Sequence, residues 1–452
     1  MTAVDAGQWT PVTLGGHPKA TVENAGEPSW FHLVPGDQPL VWLVGGSQLF
    51  EVTQSHFDQL AAGDATALAV LGGATVAGPA WPGTPPEPPA AMSLALAQSC
   101  NLSCSYCYAD AGQFGGPARR MPVEVARRAV DTLVDGSGGR RVTLGFIGGE
   151  VLLHREALHD VVAYAEERAA TAGVPIGFSI TTNGTLVTPA DVALLRAHPF
   201  AVTVSLDGGN EANDAHRRSR RGEGSFERAV AGVADLLADP GRAKVAARAT
   251  VTRHDLAVHE RVEALAAVGF AEVGVSPLRT GPDTEARFAP ADWSPFLAEM
   301  VRAADAEVDR VSGGHAPRFT NLSTGLREIH RGSARPLPCG SARSYVAVGA
   351  EGDFWTCHRT VDNPAYRLGD LDEGLSAAAR QAFLDRRQVD AQEPCRSCWA
   401  RYLCGGGCHV EVDEVGREGC DYIRGWLEYC ISLFAECQSR RPEVLRSMGV
   451  ST

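Results

Sequence analysis

Six short apolar runs separated by amphipathic helical patterns occur between residues 92 and 277, and they limit most tightly what this chain can fold into. The runs cover residues 92–97, 142–146, 177–181, 201–206, 245–252 and 272–277. Between them lie stretches such as "MPVEVARRAVDTLVDG" and "SFERAVAGVADLLAD", with apolar residues at helical spacing and Pro122 near the first helical position. Strands that alternate with helices pair in parallel and carry the helices outside the sheet. Six units fall short of the eight that close a full barrel. The pattern therefore predicts an α/β fold, a partial (β/α)6 TIM-like barrel.

The flanks read differently. A proline-rich stretch, "GPAWPGTPPEPPAA" at residues 78–91, favours extended backbone and reads as a linker. Before it, "PLVWLVGGSQLFEVTQSHFDQLAAGD" suggests two strands joined at Gly45-Gly46, then a helix capped by Thr53. After Cys339 glycine and cysteine dominate and apolar periodicity fades, so metal is the expected source of order there. The expected organisation is an N-terminal small α+β module (1–77), a linker (78–91), the barrel (92–315) and a C-terminal cysteine-rich iron–sulfur domain (335–440).

The net charge of −13 argues against a nucleic-acid backbone as partner. No apolar run is long enough to span a bilayer, and the first residues lack the regions of a signal peptide, so the expected setting is cytoplasmic, away from membranes. In a reducing compartment, 12 cysteines point to metal or redox chemistry rather than disulfides.

Three of those cysteines stand in "QSCNLSCSYCYA", where Cys100, Cys104 and Cys107 are spaced C-x3-C-x2-C directly after the first strand. Active-site loops of such folds lie at that end of the strands. Three thiolates leave one iron of a four-iron cluster open, and open positions mark metals that meet substrates. Structural zinc prefers paired short spacings, and the nearest fourth ligand, His154, is far off in the chain.

With Tyr106 before the last cysteine, this arrangement resembles the radical S-adenosylmethionine enzymes. In that family the open iron is chelated by the amino and carboxylate groups of the methionine moiety, and an electron releases a 5′-deoxyadenosyl radical. The resemblance implies a [4Fe–4S] cluster on the barrel and S-adenosylmethionine as cofactor. It extends to "GFIGGEV", where Gly148, Gly149 and Glu150 match the turn that holds the cofactor's amino group, with Val151 where the family has proline. "ITTNGTL" offers Thr182 and Asn183, and "VSLDGG" offers Ser205 and Asp207; each pair could equally be turn chemistry. Arg217 matches an arginine near the cofactor, Arg248 is a second group for its carboxylate, and Arg218, Arg220 and Arg221 read as a solvated face.

The second set, C-x12-G-x4-C at Cys339 and Cys357, then C-x2-C-x5-C-x3-C at Cys395, Cys398, Cys404 and Cys408, then Cys420, resembles the SPASM auxiliary-cluster domain. The resemblance implies two auxiliary iron–sulfur clusters of the [4Fe–4S] type. Cys395, Cys398, Cys404 and Cys420 would hold the outer one, and Cys339, Cys357 and Cys408 the inner one. Cys430 and Cys437 read as buried thiols, with Cys430 an alternative fourth inner ligand.

"TCHRTV" and "CDYIRGW" look most like the maturases of quinohemoprotein amine dehydrogenase, which make thioether crosslinks. The leading expectation is thus an enzyme that abstracts hydrogen from a residue of a ribosomally made precursor peptide or small protein subunit and installs a thioether or carbon–carbon crosslink. An electron donor such as ferredoxin or flavodoxin is implied. The N-terminal hairpin would dock the peptide leader by strand addition, or cap the barrel. An alternative is sulfatase-maturase-like oxidation of one side chain; that group carries aspartate where His358, the catalytic candidate, stands here. A third reading is a non-catalytic iron–sulfur protein.

Overall fold

The computed structural model describes residues 10–11, 30–74, 78–79, 81, 83, 86–332 and 334–450. Residues 1–9, 12–29 and 75–77 of the N-terminal module, and Ala80, Pro82, Thr84 and Pro85 of the linker, lie outside the described residues. Thr10–Pro11 (β1), Phe31–Val34 (β2), Leu40–Leu43 (β3) and Gln48–Glu51 (β4) form an antiparallel sheet in the order β1-β4-β3-β2. The hydroxyl of Thr53 accepts the His56 N–H at 3.3 Å and starts the helix Gln54–Ala61. In this sheet β3 lies between β2 and β4, β4 pairs with β1 through Thr10 and Pro11, and β2 is an outer strand. The strand β2 escapes a local reading because distant contacts hold it. His32 stacks on Trp399 with centroids 3.8 Å apart, and its Nε2 lies 3.2 Å from Glu428 Oε2.

The barrel strands are Ala91–Ala97 (β5), Val142–Gly148 (β6), Ile176–Thr182 (β7), Phe200–Ser205 (β8), Lys244–Val251 (β9) and Glu272–Pro277 (β10). All six pair in parallel in sequence order, as the alternation predicts. Alternate side chains point to opposite faces. Leu94, Leu144, Phe146, Phe178, Val202 and Val204 are buried on the outer face. There Phe178 stacks on Phe200 at 5.1 Å. Around Ser93, Gly145 and Ser179 the inner face is small and hydroxylated. A Cβ on Gly145 would stand 2.4 Å from Ser93 Oγ and 3.0 Å from Ser179 Oγ, its register neighbours. The strand ends carrying the predicted motifs open at one mouth of this lumen.

The cysteine-rich region has more apolar core than its sequence suggests. Tyr345–Val348 (β11) pairs in parallel with β5, opposite β6, and Asp353–Trp355 (β12), Arg367–Asp370 (β13) and Gly374–Leu375 (β14) follow antiparallel. Val346, Val348, Phe354, Leu384, Trp399 and Leu403 join the same buried core as the barrel. Strands this short show little alternation, which hides them in the sequence. Residues 394–420 differ: they form brief helical turns around thiols, with few large apolar side chains.

That contrast gives a prediction. Replacing Cys395 and Cys398 with serine should lower iron content and expose residues 394–420 to protease, while residues 345–387 stay as resistant as in the wild type. Limited proteolysis with peptide mapping reads this, and equal cutting in both segments would refute the shared core.

Candidate active site

Cys100, Cys104 and Cys107 are half-buried in the loop after β5. The loop is tied down by Gln98 N–H to Arg119 O (2.8 Å), Ser103 N–H to Arg218 O (2.7 Å) and Cys107 N–H to Cys104 O (3.1 Å). Leu102 N–H donates to Cys100 Sγ at 3.4 Å, and Asn183 Nδ2 approaches the same sulfur at 3.7 Å. Burial pushes the Cys100 thiol up to about 11 and also raises Cys104, against which the Arg217 guanidinium pulls down. Metals bind thiolate, so loading this loop would release protons.

The Gly-Gly-Glu turn after β6 packs straight onto that loop. Gly149 N–H donates to Ala97 O at 2.8 Å and Glu150 N–H to Ser99 O at 2.9 Å. A Cβ on Gly148 would stand 2.3 Å from Ala97 O at the end of β5, and one on Gly149 2.3 Å from Ser99 O in the loop, so only glycine fits. Glu150 is fully buried. Its carboxylate accepts Leu152 N–H at 3.1 Å, Thr182 Oγ1 at 2.8 Å and Asn183 N–H at 2.7 Å. Burial raises its pKa while those donors oppose the rise. A carboxylate has about four lone-pair sites. Three donors leave room for one more, such as an ammonium.

Tyr106, Asp207 and Arg217 form a second buried group beside Cys104. Tyr106 OH donates to Asp207 Oδ2 and accepts from Arg217 Nη1 at 2.9 Å. Asp207 Oδ1 accepts Thr250 N–H at 2.9 Å. Ser205 is half-buried at the end of β8, in register with Arg248 on β9, which donates to Ser276 Oγ at 2.5 Å.

Among the auxiliary thiols, Cys395, Cys398, Cys404, Cys408 and Cys420 line one cavity. Cys339, Cys357 and Cys408 lie within electrostatic reach of one another. Among the described residues no three metal-binding side chains are grouped for a single ion. Several thiols around one cavity suit a larger cluster, whose ligands stand farther apart. Cys430 lies on the helix Cys420–Arg440. It is fully buried, and a Cβ on Gly325 would meet its sulfur at 2.9 Å, so it packs against the helix Thr320–His330. Cys437 is buried on the same helix as Cys430, Cys420–Arg440.

His358 bonds through Nδ1 to Tyr345 OH at 3.2 Å, and burial holds its pKa at about 4, so it is neutral near pH 7. Arg359 went unread in the sequence. Its guanidinium lies 4.9 Å from the Tyr108 ring in the cysteine loop, donates to Glu411 at 2.8 Å and to Thr280, and approaches Cys408 Sγ at 3.8 Å. The basic residue after "CH" was its only local signal.

An open parallel barrel with three thiols and a Gly-Gly-Glu turn at its mouth defines a class that comparison identifies directly. Residues 95–239 match the radical SAM superfamily, and this part of the chain is a radical SAM domain. The serine-type anaerobic sulfatase-maturating enzyme of Klebsiella aerogenes is 27% identical over 344 residues, covering 71% of this chain and 80% of that enzyme. Its counterpart in Bacteroides thetaiotaomicron is 28% identical over 366 residues, 73% and 86% of the two chains. The AdoMet-dependent heme synthase of Methanosarcina barkeri is 24% identical over 335 residues, 70% of this chain and 90% of that one. In fold, the chain is similar to anSMEcpe with bound AdoMet, with a TM-score of 0.67 at 18% identity over 80% of this chain and 99% of that one. The structure of anSMEcpe with AdoMet and the Kp18Cys peptide gives a TM-score of 0.66 at 19% identity, over 78% and 99%.

The buried tyrosine carries a prediction. Tyr106→Phe removes the donor to Asp207 and the acceptor for Arg217, leaving a buried guanidinium short of a partner. A loss of about 1–3 kcal/mol in the stability of the cluster-free chain is expected from denaturant titration. An unchanged midpoint would mean that the pair is exposed in solution.

Proposed function

We propose that this chain is a radical S-adenosylmethionine enzyme that oxidises one side chain of a peptide, in the manner of sulfatase maturation. The observation that carries this is the junction of Cys100, Cys104 and Cys107 with the Gly148–Glu150 turn at the mouth of a polar lumen. The similarity to sulfatase-maturating enzymes over most of both chains supports the peptide substrate. Those relatives favour side-chain oxidation over the crosslink that the quinohemoprotein resemblance suggests.

In this reading Cys100, Cys104 and Cys107 hold the [4Fe–4S] cluster, and the lone-pair site left on Glu150 receives the cofactor's ammonium. Gly148, Gly149, Thr182, Asn183, Ser205, Asp207 and Arg217 shape the surrounding wall. Bound there, cluster and cofactor supply a hydrogen-abstracting radical. The seven auxiliary thiols hold two further clusters, and a small redox protein such as ferredoxin or flavodoxin supplies electrons. Arg359 spans the barrel mouth and Cys408, holding the auxiliary side to the lumen.

A crosslinking reaction is the second reading, and His358 favours it. A neutral imidazole bonded to Tyr345 stands where sulfatase maturases carry aspartate. The N-terminal sheet serves packing at least, since Trp42 and Leu49 join the main core; leader docking remains a proposal for the same module.

Anaerobically reconstituted enzyme should cleave S-adenosylmethionine to 5′-deoxyadenosine, and Cys104→Ala should abolish this. Peptides it modifies should react with a hydrazide probe if the product is an aldehyde. Modified peptides that lose two hydrogens yet ignore the probe would move the assignment to crosslinking. Undiminished cleavage by the alanine variant would refute the cluster assignment.

A further inference from the structure

Apart from Lys244 and Glu272 at the starts of β9 and β10, the inner faces of β7 to β10 carry small and hydroxylated side chains, and one guanidinium breaks that pattern. Thr181, Thr203, Ser205, Thr250 and Ser276 sit at accessible positions on the inner faces of β7 to β10. Arg248 stands among them, in register with Ser205 on one side and Gly274 on the other. The chain makes room for it. A Cβ on Gly274 would meet Arg248 Nη1 at 2.6 Å and Thr320 Oγ1 at 2.8 Å, so a side chain there would displace the guanidinium.

Its charge is uncompensated. Arg248 donates to the neutral Ser276 Oγ at 2.5 Å and makes no ion pair among the described residues. Tyr422 is the other ionisable group that bears on it. The guanidinium is exposed to the lumen, so an arriving carboxylate can pair with it directly. Arg217 is the guanidinium that acts on Cys104, whereas none of the three cysteines bears on Arg248, so the carboxylate of a cofactor held at the thiols would fall to Arg217.

We propose that Arg248 anchors a carboxylate of the substrate inside the lumen, so that the enzyme selects peptides presenting an acidic side chain or a free C-terminus to β9. This rests on the peptide reading above and adds its chemical class. Serine and threonine hydroxyls around the guanidinium supply further donors to the same carboxylate.

The test is affinity selection, read by mass spectrometry, of synthetic random peptides on reconstituted enzyme with S-adenosylmethionine. One pool has free C-termini and the other amidated C-termini. The wild type should enrich Asp and Glu in the amidated pool if a side chain is held, or should select only from the free-acid pool if the terminus is held. Arg248→Glu should reverse the preference toward Lys and Arg or amidated ends, with acidic peptides weakened on the order of tenfold or more. Arg248→Lys, which keeps the charge, should retain the preference if the glutamate variant does not fold. An acidic preference unchanged in Arg248→Glu, or none in the wild type, would overturn the anchor alone. Lost S-adenosylmethionine binding with peptide preference intact would return Arg248 to the cofactor. Failure of the wild type to retain any peptide would overturn the peptide reading, and the anchor with it.

Discussion

The hydrogen bond from Glu150 N–H to Ser99 O, made where Gly149 passes too close to the cysteine loop for any side chain, is the contact on which the site depends. It locks the end of β6 to the loop after β5. Glu150 then reaches β7 through Thr182 and Asn183, and Asn183 turns back to Cys100. Three consecutive strand ends are thereby fixed around the first thiol. A substitution at either glycine would push on backbone oxygens, which have no rotamer in which to move aside.

The wider architecture follows from the position of β5. Parallel partners flank it on both sides, β6 and β11. The strand that bears the barrel cysteines is therefore also the strand on which the cysteine-rich region is built. Arg359 adds a second tie from that region to Tyr108 in the cysteine loop. Two sets of thiols far apart in sequence are held in one frame by a shared core and not by metal alone.

What the sequence made legible was local. The six barrel strands fall within a residue or two of their apolar runs, and Thr53 caps where a cap was read. The thiol motifs were legible because their spacing is short and their residue type rare. Less visible were features that depend on distant partners. The strand at Phe31 is held by Trp399 and Glu428, β11 by β5, and Arg359 by residues of the barrel mouth. The apolar core after Cys339 was hidden because strands of two to four residues carry too little alternation to be seen. The packing of Cys430 against Gly325 likewise had no local signal.

The central claim is that three thiols leave an iron position which S-adenosylmethionine fills. Electron–nuclear double resonance on the reduced enzyme, with cofactor labelled in its amino nitrogen and carboxylate oxygen, addresses it most directly. The account predicts hyperfine coupling of both labels to the barrel cluster, lost in Cys104→Ala. A reduced cluster that shows neither coupling in the wild type would contradict it.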